Sequence, residues 1–192
     1  DTPIDDAPFT FEPHVEGSWI ALTTDTIVFE PDEPPPAGHI YTVGLTADHP
    51  LLRTIHIDPD TLPRLHYRPL KLLKTQLDGS KEVTLEDGTS ARRSTVVLTF
   101  NQDVARAACA QHVQVKATDR SVDPQWTSDS VSTAHRFDVV TAPGAQLRVS
   151  VDEGLTGHGG ELPLPATLGA VTINIPTGLV PLRIDTDQFR WG

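Results

Sequence analysis

The side chains able to act as nucleophiles or metal ligands are scattered through this sequence and are not grouped in a recognisable motif. Eight histidines are present, but none has the spacing of a zinc-binding helix, and we interpret strand histidines such as His39, His112 and His135 as surface or turn residues. The single cysteine, Cys109, excludes an intrachain disulfide and a multi-cysteine zinc site. No Gly-x-Ser-x-Gly elbow, Walker loop or dinucleotide fingerprint occurs. We therefore expect no catalytic residue, no cofactor and no enzyme activity.

Two pairs of aspartates are the remaining candidates for a metal site. Asp58 and Asp60 form the string DPD, and Asp185 and Asp187 form the string DTD. Carboxylate oxygens are the ligands that Ca²⁺ prefers, so a calcium ion at each pair would stiffen the joint between two domains. The alternative is that aspartate is common in turns and linkers. These four residues are the only metal candidates that we retain.

The net charge and the lack of long apolar stretches argue against nucleic acid as a partner and against a membrane-spanning segment. The formal net charge of the 192 residues is −11, which argues against a nucleic-acid partner because phosphate binding needs clustered lysine and arginine. No stretch approaches the roughly 20 apolar residues that span a bilayer. The sequence starts at Asp1 and has no methionine. The simplest interpretation is a mature or excised segment of a longer polypeptide.

Short apolar runs separated by turn residues predict an all-β chain. Seventeen prolines and thirteen glycines are spread between these runs. One helix is predicted within residues 103–112, with Asp103 as its N-cap. Cys109, in that stretch, is expected to be a buried packing residue. The predicted strands are residues 26–31, 39–46, 94–100, 112–118, 135–141, 146–152 and 170–176.

A weak internal repeat divides the chain. Trp19 is followed ten residues later by Phe29, and Trp126 is followed eleven residues later by Phe137. In both copies a Pro/Gly turn and an alternating strand come next. Only the second copy has two further predicted strands in front of it, with the sequences STVVLTF and HVQVKAT. The first copy therefore looks like the second half of a domain, and both tryptophans are expected in sandwich cores.

The repeat predicts tandem sandwich domains. We place the first at residues 1–60, either incomplete or completed by residues 71–88, and the second at residues 61–176. Residues 177–192 are a C-terminal strand or the start of a next domain.

The second copy resembles the Ig-like domains of bacterial proteins, through an aromatic strand, a Pro-Gly turn, a strand and the string GLTGHGGEL. The first copy, with FTFEP and later PAGHIYTV, is similar. The segment that follows the second copy looks like a junction between domains in bacterial α2-macroglobulins. The residues that carry this likeness are Val171, Ile173, Ile175 and Pro176, followed by Pro181, Leu182 and Arg183.

This resemblance implies tandem Ig-like, macroglobulin-type β-sandwiches from a bacterial envelope protein, periplasmic or on the cell surface. Such α2-macroglobulins trap proteases with a bait region and, in many members, a Cys-x-Glu-Gln thioester. The string at Cys109–His112 is CAQH, which lacks that order. The chain would then be a non-enzymatic scaffold whose partners are other domains of the same parent chain and, through the parent, proteases. The alternative is a surface adhesin or carbohydrate-binding module.

Overall fold

The fold is all-β, as the sequence predicts. A computed structural model describes residues 2–4, 6–23, 26–47, 49–50 and 61–178. The described elements, in chain order, are β1 (Thr2–Ile4), β2 (Phe9–Glu12), β3 (Gly17–Ala21), β4 (Ile27–Pro31), β5 (His39–Leu45), β6 (Arg64–Tyr67), β7 (Leu72–Thr84), β8 (Ser90–Ala105), α1 (Arg106–His112), β9 (Val113–Ala117), β10 (Arg120–Ser121), β11 (Gln125–Trp126), β12 (Val131–Thr141), β13 (Gln146–Val151) and β14 (Leu168–Asn174).

All seven predicted strands coincide with observed ones, and the predicted helix is present but shorter. The expected cap is wrong: Ala105 precedes α1, and no side chain caps the helix. The reason is that β8 continues through Asp103 to Ala105, so the aspartate still belongs to a strand. Alternation of apolar and polar residues located the strands, whereas the end of a long strand gave no local signal.

The described strands form four antiparallel sheets. Two three-stranded sheets, with the orders β1-β3-β4 and β2-β5-β6, are called the N-terminal sheets. Two four-stranded sheets, with the orders β11-β12-β8-β7 and β10-β9-β13-β14, are called the C-terminal sheets. Strand β6 therefore belongs with the N-terminal sheets. Strand β7 pairs with β8, so residues 72–84 do not complete the N-terminal sheets. The domain limits themselves stay a prediction.

The main hydrophobic core lies between the C-terminal sheets. Val96 and Leu98 of β8 and Phe137 of β12 are fully buried against strands of the opposite sheet, such as β13 with Leu147 and Val149. Each such side chain contributes about 1.5–3 kcal/mol through burial. Alternate residues of β8, β12 and β13 point inward, as the two-residue period of a strand requires.

A smaller aromatic cluster lies between the N-terminal sheets. Phe11 of β2 stacks on Trp19 of β3, with ring centroids 5.7 Å apart, and contacts Phe29 of β4 at 4.7 Å. Phe9 contacts Trp19 at 5.5 Å. All four rings are only half-buried. The cluster joins the two sheets without forming a closed core.

The internal repeat is confirmed by strand pairing. Trp19 lies directly opposite Phe29 in the β3–β4 pair, and Trp126 lies directly opposite Phe137 in the β11–β12 pair. The ring centroids are 4.9 Å apart in the first pair and 5.0 Å in the second. The same cross-strand aromatic contact is therefore built twice.

The strands that follow also correspond. Gly38 and Gly144 precede β5 and β13, with φ of 81° and 76°. Strand β5 lies between β2 and β6, as β13 lies between β9 and β14. The N-terminal copy thus has a counterpart of β9, namely β2. The expectation that both preceding strands are lacking is therefore wrong for HVQVKAT.

The strand STVVLTF, part of β8, has no counterpart in the described part of the N-terminal copy. Strand β12 has β11 on one side and β8 on the other. Strand β4 has β3 on one side, and no described strand pairs with its other edge. The two copies therefore share five strands, and β8 is one of the strands that have no counterpart in the described part of the N-terminal copy.

Candidate functional site

The N-terminal and C-terminal sheets meet at a hydrogen-bonded contact around Gly38. Its carbonyl oxygen accepts hydrogen bonds from the backbone N–H groups of Glu161 and Leu162, both at 2.7 Å. Its own N–H points to the carbonyl oxygens of Tyr67 and Arg68, at 2.9 and 3.2 Å. A single backbone unit thus bonds to the end of β6 and to the loop between β13 and β14.

Close backbone approach explains why this position is glycine. The φ of Gly38 lies in the left-handed region, and a Cβ atom there would stand 2.9 Å from Oε1 of Gln102 and 3.3 Å from Cα of Gly160. The Gln102 side chain donates a hydrogen bond from Nε2 to the carbonyl oxygen of Arg68, at 3.0 Å. Any side chain at position 38 would push these groups apart.

The connection from β6 to β7 is fixed beside this contact. Leu70 is fully buried in the C-terminal core. Oδ1 of Asn101 accepts a hydrogen bond from the backbone N–H of Lys71 at 2.8 Å, and Nδ2 donates to the carbonyl oxygen of Pro69 at 3.0 Å. We call the whole contact the seam; its residues are Gly38, Arg68, Pro69, Leu70, Lys71, Asn101, Gln102, Gly160, Glu161 and Leu162.

Tyr41 lies next to the seam. Its hydroxyl donates a hydrogen bond to the carbonyl oxygen of Pro36 at 3.2 Å. Burial raises the pKa of Tyr41 above its ordinary value, and the nearby Tyr67 and Glu161 raise that pKa further. All three effects favour the protonated, donating form of the hydroxyl.

The calcium candidates fall in parts of the chain that the structure does not describe. Asp58, Asp60, Asp185 and Asp187 all lie outside the described residues, so the calcium sites stay a prediction. Within the described ranges, no group of three or more histidine, cysteine, aspartate or glutamate side chains is arranged to hold a metal ion.

Cys109 is a fully buried residue of α1, which confirms its expected packing role. Burial raises the pKa of its thiol to about 12. A thiol with this pKa is almost entirely protonated at neutral pH, and only the thiolate is a strong nucleophile. The site therefore favours packing over reactivity.

The buried thiol predicts a pH dependence of stability. The folded state keeps a proton that the unfolded thiol releases near its ordinary pKa of 9.0. The contribution of Cys109 is therefore complete below about pH 9 and is lost as the pH rises toward 12, by about 1.4 kcal/mol per pH unit. Urea unfolding at about pH 8, 9 and 10 measures this slope. The Cys109→Ala variant is the control and should show a shallower fall; equal slopes would contradict the assignment.

His135 is a buried polar residue that the sequence interpretation placed at the surface or in a turn. His135 is fully buried, not a surface or turn residue. Its Nε2 donates to the carbonyl oxygen of Val104 at 2.8 Å, and its Nδ1 accepts from the hydroxyl of Ser128 at 2.9 Å. The signal was available, because His135 is in phase with the inward-pointing Phe137 and Val139. Its role is to satisfy buried polar groups.

A surface groove runs between the β2–β3 and β4–β5 connections. Its volume is about 400 Å³, and an adjoining cavity of about 110 Å³ reaches the aromatic cluster. Nε2 of His14 and Oε1 of Glu16, both exposed, lie 3.1 Å apart at its rim. The residues that line the groove are His14, Val15, Glu16, Asp32, Glu33, Pro34, Pro35 and Pro36. The groove is therefore acidic and proline-rich.

Comparisons with known proteins give no family assignment. No protein-family model matches the chain, and no curated protein matches it. Among the described residues, no helix has the length and apolar character needed to cross a membrane.

Proposed function

We propose that this chain is a non-enzymatic scaffold segment of a bacterial envelope α2-macroglobulin-like protease inhibitor, periplasmic or on the cell surface. The observation that carries the proposal is the seam. Backbone hydrogen bonds at Gly38 and a buried anchor at Leu70 hold the N-terminal and C-terminal sheets together. A segment that fixes the orientation of its own units is suited to positioning other domains of the same chain.

The order of the C-terminal sheets supports the Ig-like part of this proposal. The sheet β7-β8-β12-β11 corresponds to strands A-B-E-D of an immunoglobulin-type sandwich, and the sheet β14-β13-β9-β10 to strands G-F-C-C′. Together with the sequence resemblance, this order favours a macroglobulin-type domain.

The connection between the two pairs of sheets is unlike the segment that trapping requires. A trap needs a cleavable segment whose scission releases a second conformation. Here the connection between the two pairs of sheets is short and fixed by Asn101 and Gln102. Proteases are therefore partners of the parent protein, and this chain supports the domains that bind them.

The chain by itself is expected neither to inhibit nor to trap a protease. It would be incubated with a serine protease, a cysteine protease and a metalloprotease. The residual activity of each protease would be followed on a large protein substrate and on a small peptide substrate. Unchanged activity on both substrates is expected. Stoichiometric loss of activity on the large substrate only is the behaviour of a trap. That result would place the working site inside this chain and overturn the scaffold proposal.

Direct ligand binding is the second candidate, and the acidic groove favours it. Carboxylates beside aromatic rings are common in carbohydrate sites, and this groove adjoins the aromatic cluster. An adhesin or carbohydrate-binding module would be favoured by two results together. The chain would bind a glycan and lose this binding in Glu33→Gln, and it would leave the activity of the added proteases unchanged.

A further inference from the structure

We propose that the N-terminal sheets are an acceptor for a donated β-strand. The strand would pair along the edge of β4 that no described strand occupies, called the free edge, and would be supplied by a polypeptide other than this chain. This inference goes beyond the proposed scaffold role, because it assigns a binding surface and the chemistry of its ligand.

The hydrogen-bond phase of the β3–β4 hairpin identifies the backbone groups that face the free edge. Leu22 donates its N–H to the carbonyl oxygen of Thr26 at 3.0 Å, at one end of the hairpin. Asp32 donates its N–H to the carbonyl oxygen of Glu16 at 3.1 Å, at the other end. Hydrogen-bonded and non-hydrogen-bonded pairs alternate along an antiparallel ladder. Every second residue of β4 therefore turns its N–H and C=O away from β3.

Those residues are Ile27, Phe29 and Pro31. Their positions opposite β3 are the non-hydrogen-bonded ones, and Pro31 has no N–H to offer. The free edge thus presents two N–H donors, at Ile27 and Phe29, followed by Pro31, which has no N–H to donate. A row of backbone groups of this kind is a template for an added strand.

In the C-terminal sheets, the edge of β12 that corresponds to the free edge of β4 is paired with β8. Thr127 donates its N–H to the carbonyl oxygen of Arg136 at 2.9 Å, so Phe137 has the same hydrogen-bond phase as Phe29. Phe137 is paired with Val96 of β8 and is 0% exposed. Phe29 is half-buried. Phe137 has β8 beside it, whereas no described strand lies on the matching side of Phe29.

The opposite sheet shows the same contrast at every inward position except Tyr41, which is 4% exposed. Three inward positions of β13 and β14 are covered, and their counterparts in β5 and β6 are not, as the strand pairings match them. The covered residues are Val149, Val151 and Ile173, exposed by 2%, 1% and 9%. Their counterparts are Val43 and Leu45, which are half-buried, and Leu65, which is 44% exposed.

Strand β8 of the C-terminal copy also indicates what kind of strand would pair with the free edge of β4. Inward-facing Val96, Leu98 and Phe100 of β8 alternate with residues of the outer face. The donated strand should therefore be an antiparallel segment of about five to seven residues with apolar side chains at every second position. Main-chain hydrogen bonds to Ile27 and Phe29 would fix its register, and its apolar side chains would cover the aromatic cluster.

A peptide with the sequence of residues 93–101 (RSTVVLTFN) tests this proposal on the full chain. Hydrogen exchange by NMR would follow the amides of Ile27 and Phe29, with Phe137 as an internal reference. Fast exchange is expected in the free chain at Ile27 and Phe29, and at least about tenfold slowing when the peptide is added. A control peptide with serine in place of the three inward apolar residues should give no slowing.

Two variants locate the binding site. Ile27→Pro removes one outward N–H and should weaken peptide binding about fivefold to tenfold, as expected for one lost hydrogen bond. Val28→Ser is the control, since Val28 is hydrogen-bonded to β3 and its exposed side chain points outward; its affinity should be unchanged. Peptide binding that is absent, or insensitive to Ile27→Pro, would overturn the proposal.

The free chain also distinguishes other occupants. Slow exchange at Ile27 and Phe29 in dilute protein would show that the chain covers its own edge. Protection that appears only with concentration, together with a dimer in analytical ultracentrifugation, would assign the edge to a second copy. Either result would overturn the donated-strand proposal.

Discussion

Replacing Phe137 with alanine is expected to lower the free energy of unfolding by about 3–5 kcal/mol, the usual cost of removing a buried phenylalanine. The ring is fully buried between the C-terminal sheets, so its loss leaves a cavity. Phe29→Ala is the matched variant, since Phe29 occupies the same place in the repeat and is only half-buried. Its cost should be less than about half as large.

Urea unfolding followed by circular dichroism measures both values, with native-state hydrogen exchange to assign each loss to its pair of sheets. Equal losses for the two variants would show that the N-terminal core is as well closed as the C-terminal one. The contrast between the two copies would then have no energetic consequence.

Gly38→Val is expected to destabilise the chain by about 3 kcal/mol. Part of this comes from the left-handed φ of 81°, which costs a side chain about 1–2 kcal/mol. The rest comes from overlap with Gln102 and the backbone of Gly160. Gly88→Val is the control, because Gly88 has the same φ of 81° and nothing within 4 Å of its added Cβ.

The difference between the two variants measures the seam alone. Chemical unfolding gives that difference, and small-angle X-ray scattering reports whether the two pairs of sheets separate in Gly38→Val. An equal cost at both glycines, with an unchanged scattering profile, would contradict the role of the seam in fixing their orientation.

Local periodicity explains how much of the fold could be predicted from the sequence. Alternation located β5, β12 and β13, because inward and outward residues follow each other with a period of two. The spacing of Trp19 and Phe29 is within one residue of that of Trp126 and Phe137, and the members of each pair lie directly opposite each other on two paired strands. Patterns within about a dozen residues were therefore informative.

The seam could not be predicted, because its bonds are made by the backbone and join distant parts of the chain. Gly38 bonds to Glu161 and Leu162 through carbonyl and amide groups that every residue carries, so no side-chain type marks the contact. The glycine alone gave a weak hint, since a Pro-Ala-Gly turn explains it equally well. His135 was overlooked although its side chain did carry a signal. It was assigned to the surface because it is polar, whereas its position in the alternation of β12 points inward.

The pairing of β7 with β8 continues past the end of the neighbouring strand β12. Strand β12 accompanies β8 only from Arg92 onward, so the segment between Val83 and Ala91 is a two-stranded ribbon closed by a turn at Gly88. Its loop tip is bonded only to itself, and lengthening such a loop costs little closure entropy. A fluorophore or an affinity handle inserted after Asp87 would therefore leave both pairs of sheets intact.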